Sequence, residues 1–212
     1  MRRLPALAAW LALLAAPAAA APDPWRACGQ AIARVEPGSG LPPGLLGAIA
    51  QVESGRPDAR GRRVPWPWAY NAQGEGRWPE TEAAARAEVA ALLAAGVRSV
   101  DVGCMQVNLL HHPAAFASLE EAFDPEANIR YAARLLRSLH ARSGNWAEAI
   151  ALYHSARPEH GLPYHRRVAL ARLGTSLDAA RSLCAPGLSP ALALRGTPAR
   201  PRVVCRRPGR PG

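Results

Sequence analysis

Prolines and glycines punctuate this chain so regularly that only short segments remain between them, and those segments carry apolar residues at helical spacing. There are 21 prolines and 18 glycines among 212 residues. Trp25 to Glu36 is amphipathic and stops before Pro37-Gly38. Pro42 and Pro43 open a second helix to about Glu53, since proline fits a first helical turn. Gly55, Pro57 and Gly61 then break it, and residues 55–78 read as a loop holding Trp66, Trp68 and Trp78. Pro79 to Ala95 forms an Ala-rich helix stopped by Gly96. Asp124-Pro125 supplies an N-cap and a first-turn proline for a longer helix. Its Ile129, Ala132, Ala133, Leu135, Leu136 and Leu139 recur at helical spacing, and Gly144 follows its end. Asn145 to Glu148 is a capping-box-like start for a helix through Tyr153. Pro163 to Leu173 makes another, closed by Gly174. No run shows sustained strand alternation between hairpin turns. The expected fold is all-α, in one domain from about 25 to 183.

The first residues have a different character. Arg2 and Arg3 precede an apolar run, Leu4 to Leu14, and then small residues to Ala21. That is the pattern of a secretory signal peptide, residues 1–20, cleaved after Ala20. The run is shorter than the ~20 residues a spanning helix needs, so no membrane span is expected. Export would place Cys28, Cys104, Cys184 and Cys205 in an oxidising compartment. Four cysteines allow three pairings; Cys28 with Cys104 and Cys184 with Cys205 is the one favoured here, and the others stay open. No close Cys-x-x-Cys pair or histidine spacing suggests zinc. Neither metal nor cofactor is expected. His111 and His112 read as ordinary, partly exposed residues.

The net charge of +10 comes from arginine alone. It suits an anionic partner, but no nucleic-acid-binding motif accompanies it, and none is expected as a partner. Residues 185–212 are rich in proline and arginine with little to bury. They are expected to form a basic tail without fixed structure.

Glu53 is the first candidate for chemistry. It sits at the edge of the apolar stripe Leu45, Leu46, Ile49 and Val52, at a helix C-terminus. Partial desolvation and the macrodipole both disfavour its charged form, as a general acid working near neutrality requires. Downstream come Gly103-Cys104-Met105-Gln106-Val107-Asn108, then Ala149 to Ala156 around Tyr153, then Tyr164. A Glu-Ser pair ending a helix, a Gly-x-Met-Gln segment, an Ala-Tyr segment and a late tyrosine, in that order, resemble the SLT-type lytic transglycosylases. These are lysozyme-like bacterial enzymes of peptidoglycan, and the resemblance covers roughly residues 25–174. Two departures stand out. Tyr153-His154-Ser155-Ala156 replaces the family's Tyr-Asn-Ala-Gly. The stretch from Glu53 to Gly103 is also longer than in the commonest members, and contains Trp66-Pro67-Trp68.

The resemblance implies a lysozyme-like helical domain with a central groove that binds peptidoglycan glycan strands. Glu53 would be the catalytic acid and base, cleaving the bond between N-acetylmuramic acid and N-acetylglucosamine to leave a 1,6-anhydromuramic end. Ser54 would support the geometry, Met105 and Gln106 would line the groove, and Tyr153 and Tyr164 would hold the glutamate and a sugar. Asn108 is a groove residue or a cap. Ordinary glycosidases use two carboxylates; Asp58 lies in the adjacent loop and Asp101 precedes the glycine motif, and the resemblance gives neither a role. A lysozyme-like muramidase and a non-catalytic peptidoglycan-binding or assembly protein remain alternatives. The resemblance places the protein in the periplasm or outside the cell, serving a secretion, conjugation or flagellar assembly. The tryptophans offer flat faces for sugar rings, although for Trp66 and Trp68 burial in a small core of their own is favoured. Arg166-Arg167 reads as a solvated helix face.

Overall fold

A computed structural model describes residues 23–179, 184, 186–195 and 200–207. The signal-peptide segment 1–20 lies outside them, as do parts of the basic tail. Seven helices are described: α1 (Pro24–Val35), α2 (Leu45–Ser54), α3 (Glu82–Ala94), α4 (Leu119–Phe123), α5 (Pro125–Ser143), α6 (Trp146–His154) and α7 (Pro158–Ala179). Their starts follow from local chemistry. The Trp25 N–H donates to the Asp23 carboxylate, the Ala127 N–H to Asp124 and the Glu148 N–H to Asn145, each satisfying an orphan donor of a first turn. α2 begins behind Gly44, which has φ of 77° and no side chain to cap with. Glu36, just beyond α1, substitutes: its carboxylate accepts from the Gly44 and Leu46 N–H groups at 2.9 and 3.1 Å.

α2 is the apolar centre. Leu45, Leu46, Ala48, Ile49 and Ala50 are buried and meet Ile129, Ala132, Ala133 and Leu136 of α5, Ile150 of α6 and Val168 of α7 in one core. α2 packs on α7, and α5 packs on α1 and α6. α7 runs through both Pro163 and Gly174, longer than the expected Pro163–Leu173. Pro163, the sixth residue of the helix, has no N–H to offer the Glu159 carbonyl and its ring crowds that carbonyl, yet the helix continues through it.

The all-α expectation for the domain is corrected by six short strands. β1 (Gly55–Pro57) pairs with β2 (Arg63–Pro65). β3 (Tyr70–Ala72), β4 (Glu75–Arg77), β5 (Val100–Val102) and β6 (Val107–Asn108) form an antiparallel sheet in the order β4-β3-β5-β6. Half of the stretch read as a loop is therefore strand. Strands of two or three residues are too short for alternation to register, and the β3–β5 pairing joins segments far apart in sequence. One face of this sheet is apolar: Tyr70, Ala72, Val100 and Val102 pack on Ala85 and Val89 of α3 and on Ala122 and Phe123 of α4. The molecule is helix-dominated with a small sheet laid beside the helical core.

In the tail, β7 (Ser189–Arg195) and β8 (Arg200–Arg206) form an antiparallel hairpin where no fixed structure was expected. Disulfides join Cys28 to Cys104 and Cys184 to Cys205, the favoured pairing. No helix among the described residues is long and apolar enough to cross a membrane.

Candidate active site

A cleft of about 450 Å³ opens between the end of α2, the polar face of the sheet and α6. Its lining includes Glu53, Asn71, Asp101, Gln106, Asn108, His111, His112, Tyr153 and His154. Glu53 is in the last turn of α2 and partly exposed, so its carboxyl reaches the cleft while the core lies behind it. Burial raises its pKa from 4.5 to about 7; Tyr164 and Arg167 oppose the rise and Asp101 adds to it. A carboxyl group with that value is half protonated near neutrality and able to donate a proton there.

Two tyrosines back the glutamate differently. Tyr153 lines the cleft and donates its hydroxyl to the Met105 carbonyl at 2.8 Å. Burial and the charge of Glu53 push its pKa well up, so it stays a neutral donor. Tyr164 is fully buried. Its hydroxyl has no partner in hydrogen-bonding geometry, yet it faces Glu53 closely enough to favour the carboxylate form. The His154 ring stacks on Tyr164 with centroids 4.5 Å apart. The Arg167 guanidinium lies over the Tyr164 ring, 5.5 Å from its centroid. Arg166 and Arg167 are exposed, as read, and Arg167 additionally reaches the tyrosine ring.

The opposite wall is made by strand register. Asn71 pairs with Asp101, and Asp101 with Asn108. Because side chains alternate along a strand, the residues flanking these three go to the core and these three face the cleft. Asn108 Nδ2 donates to Asp101 Oδ1 at 2.8 Å and to Ser99 Oγ at 3.0 Å, and its Oδ1 accepts from the Leu110 and His111 N–H groups. Asn108 is thus both groove residue and cap. Burial raises the Asp101 pKa, against the pull of Asn108 and His111. His112 shares a hydrogen bond with the Tyr131 hydroxyl through Nδ1 at 2.9 Å, and burial lowers its pKa.

The turn between β5 and β6 holds the remaining motif. Gly103 has φ of 79°, and a Cβ there would lie 2.4 Å from Asn128 Nδ2. Asn128, buried on α5, accepts from the Met105 N–H at 2.9 Å and donates to the Val102 and Ala122 carbonyls at 3.0 Å. Gln106 takes a left-handed φ of 48° and donates to the Ala69 and Gly103 carbonyls. Ser54 donates to the Ala50 and Cys104 carbonyls at 3.1 and 2.8 Å, tying α2 to this turn.

Of the residues read from sequence, Glu53, Gln106, Asn108 and Tyr153 line the cleft. Ser54, Met105 and Tyr164 do not. Met105 was expected at the groove; its side chain is in the core, because the turn that shows Gln106 to the cleft points its neighbour inward. Ser54 and Tyr164 are also buried. Sequence reasoning missed Asn71, His111, His112 and His154 as lining residues and left Asp101 without a role. Only the strand register unites them. Trp66 and Trp68 meet in an edge-to-face contact with Trp66 buried, as favoured, and Trp78 stays 39% exposed. Among the described residues no group of three or more His, Cys, Asp or Glu side chains is placed to hold a metal ion.

Comparison with curated proteins and with solved structures found no match. The model of the transglycosylase SLT domain matches residues 30–161. That span holds Glu53, the Gly103–Asn108 turn and Tyr153, and ends just before Tyr164. It covers well over half of the chain, so this protein, with its helix-dominated, lysozyme-like domain, belongs to the transglycosylase SLT domain family.

Proposed function

We propose that this protein is a peptidoglycan lytic transglycosylase with Glu53 as its single acid and base. The observation that carries the reading is the Glu53 carboxyl, held at the cleft with a pKa near 7. In the neutral form it protonates the glycosidic oxygen between N-acetylmuramic acid and N-acetylglucosamine, and the anomeric C–O bond breaks. The resulting carboxylate takes the proton of the muramic 6-hydroxyl as that oxygen bonds to the anomeric carbon. A 1,6-anhydromuramic end and a free N-acetylglucosamine 4-hydroxyl result, with no water consumed. Tyr153 and Tyr164 hold the acid in place, and Gln106 and Asn108 bind the strand.

Family membership makes peptidoglycan the substrate class, and the two disulfides suit an oxidising compartment. The mature enzyme would start after a signal peptide of residues 1–20, span about 25–183 as its catalytic domain, and carry 185–212 as a basic appendage. It would act in the periplasm or outside the cell, opening the wall for a secretion, conjugation or flagellar assembly.

A second reading has its own support. Asp101 lines the same cleft as Glu53, and two facing carboxyl groups are what a hydrolytic muramidase would use. Digestion of purified sacculi, followed by mass analysis of the muropeptides, separates the two. Products lighter by one water support the intramolecular route, and reducing ends support hydrolysis. Glu53→Gln is expected to lower release by a factor of about 100 or more. Full activity of that variant would remove Glu53 from the mechanism.

A further inference from the structure

Trp78 raises a question that the catalytic reading leaves unanswered. Apolar side chains this large are usually covered, and Trp66 of the same stretch is. Trp78 is 39% exposed, yet its orientation is fixed. The indole N–H donates to the Ser54 carbonyl at 3.1 Å, the residue that follows Glu53. That carbonyl, which also accepts from the Trp66 N–H at 3.3 Å, locks the ring to the same helix end that presents the acid. The six-membered ring rests on β4: a Cβ on Gly76 would lie 3.4 Å from Trp78 Cη2 and 3.9 Å from Asn71 Nδ2.

Strand register connects this ring to the cleft. Gly76 pairs with Asn71, Asn71 with Asp101 and Asp101 with Asn108. One row therefore crosses all four strands. Three of its members line the cleft, and the fourth carries the indole. Neighbouring strands are about 4.8 Å apart, so the Trp78 ring sits roughly 10 Å beyond Asp101, on a continuation of the same polar face. A flat apolar face with its N–H already engaged has no hydrogen bond of its own to lose when it is covered. Beside a row of amide and carboxyl groups it matches an N-acetylhexosamine ring, whose C–H face is apolar and whose edge is polar.

We propose that Trp78 is the stacking platform of an additional sugar subsite, built by the β3–β4 hairpin, which binds an N-acetylhexosamine ring of the glycan strand outside the catalytic cleft. The proposal rests on the glycan-cleaving reading. Its place in the stretch between Glu53 and Gly103 makes it a property of this longer insertion.

The test is titration of Glu53→Gln, which does not consume ligand, with N-acetylglucosamine oligomers of increasing length, followed by the indole N–H resonances. The Trp78 resonance is expected to shift only with the longer oligomers. Trp78→Ala in the same background is expected to weaken binding of those oligomers about tenfold, with the shortest binding oligomer unaffected, and Trp78→Phe to keep most of the gain. Matching thermal melts for the three proteins would show that the fold is retained. If Trp78→Ala misfolds, the Phe variant and the resonance of the unaltered ring decide. Equal affinities at every length with a silent Trp78 resonance would overturn the platform and leave the glycan reading standing. No oligomer binding to any of the proteins would overturn both.

Discussion

At the scale of the residue, one proton on Glu53 links stability to pH, and in the proposed mechanism it links activity to pH as well. The group is half-buried and raised to about 7, while in the unfolded chain it titrates near 4.5. Below 4.5 it is neutral in both states and makes no difference between them. From 4.5 to 7 the unfolded chain gives up the proton and the folded protein keeps it. The unfolded state then binds fewer protons, and stability falls as pH rises through this window. The cost levels off above about 7, at no more than about 3 kcal/mol. Glu53→Gln removes the titration. Thermal melts of both proteins from pH 4 to 8 are expected to show the variant gaining on the wild type across this window and staying ahead above it. A constant offset at every pH would show that the carboxyl is not held neutral. Wild-type lytic activity should decline as pH rises through 7, as the acid form is lost. Glu53 was legible in sequence because the largest cause of its shift, burial, is signalled locally by the apolar stripe of its own helix. Tyr164 was legible only through motif order, and its burial behind the glutamate could not be seen without α7 in place.

At the scale of the element, the turn between β5 and β6 is where a single carbon atom does most damage. Gly103 has both a positive φ and a contact that a methyl group would overlap. The overlapped atom belongs to Asn128, whose amide serves three backbone groups from a buried position. Gly103→Ala therefore combines backbone strain with loss of those bonds. A destabilisation above about 3 kcal/mol is expected, read from urea midpoints at unchanged slope. Asn128→Ala, which leaves the backbone free but strands its partners, should cost about 2–4 kcal/mol. A near-neutral Gly103→Ala would mean the turn relaxes without α5. Elements with caps were readable from sequence: Asp124 and Asn145 start helices where expected. The sheet was not, because its strands are two or three residues long and its central pair, β3 with β5, joins segments far apart in sequence. The cost of that blind spot was functional. Asn71, Asp101 and Asn108 share a wall only by register, so half of the cleft was invisible while Glu53 was plain.

At the scale of the whole molecule, the cleft lies between a helical core and a separate sheet core, and its shape depends on how the two are joined. The Gly103–Gln106 turn is the joint. Ser54 ties it to α2, Asn128 ties it to α5, and the Cys28–Cys104 disulfide ties it to α1. Noncovalent ties act only in the folded state, whereas the disulfide also restricts the unfolded chain, across a sequence separation of 76. Chain entropy alone gives a loop of that size about 4 kcal/mol of stabilisation. Cys28→Ala with Cys104→Ala is expected to lower stability by an amount of that order in urea melts. The wild type under reducing conditions should fall toward the same midpoint. Activity should fall as well, at temperatures where the variant is still folded, because the turn that carries Gln106 has lost its link to α1. The second disulfide spans only 21 residues and closes on the β7–β8 hairpin, with no residue of its own at the cleft. Replacing Cys184 and Cys205 by alanine should accordingly leave muropeptide release from sacculi unchanged. If the two replacements instead affected activity alike, the joint would not be what positions the catalytic wall.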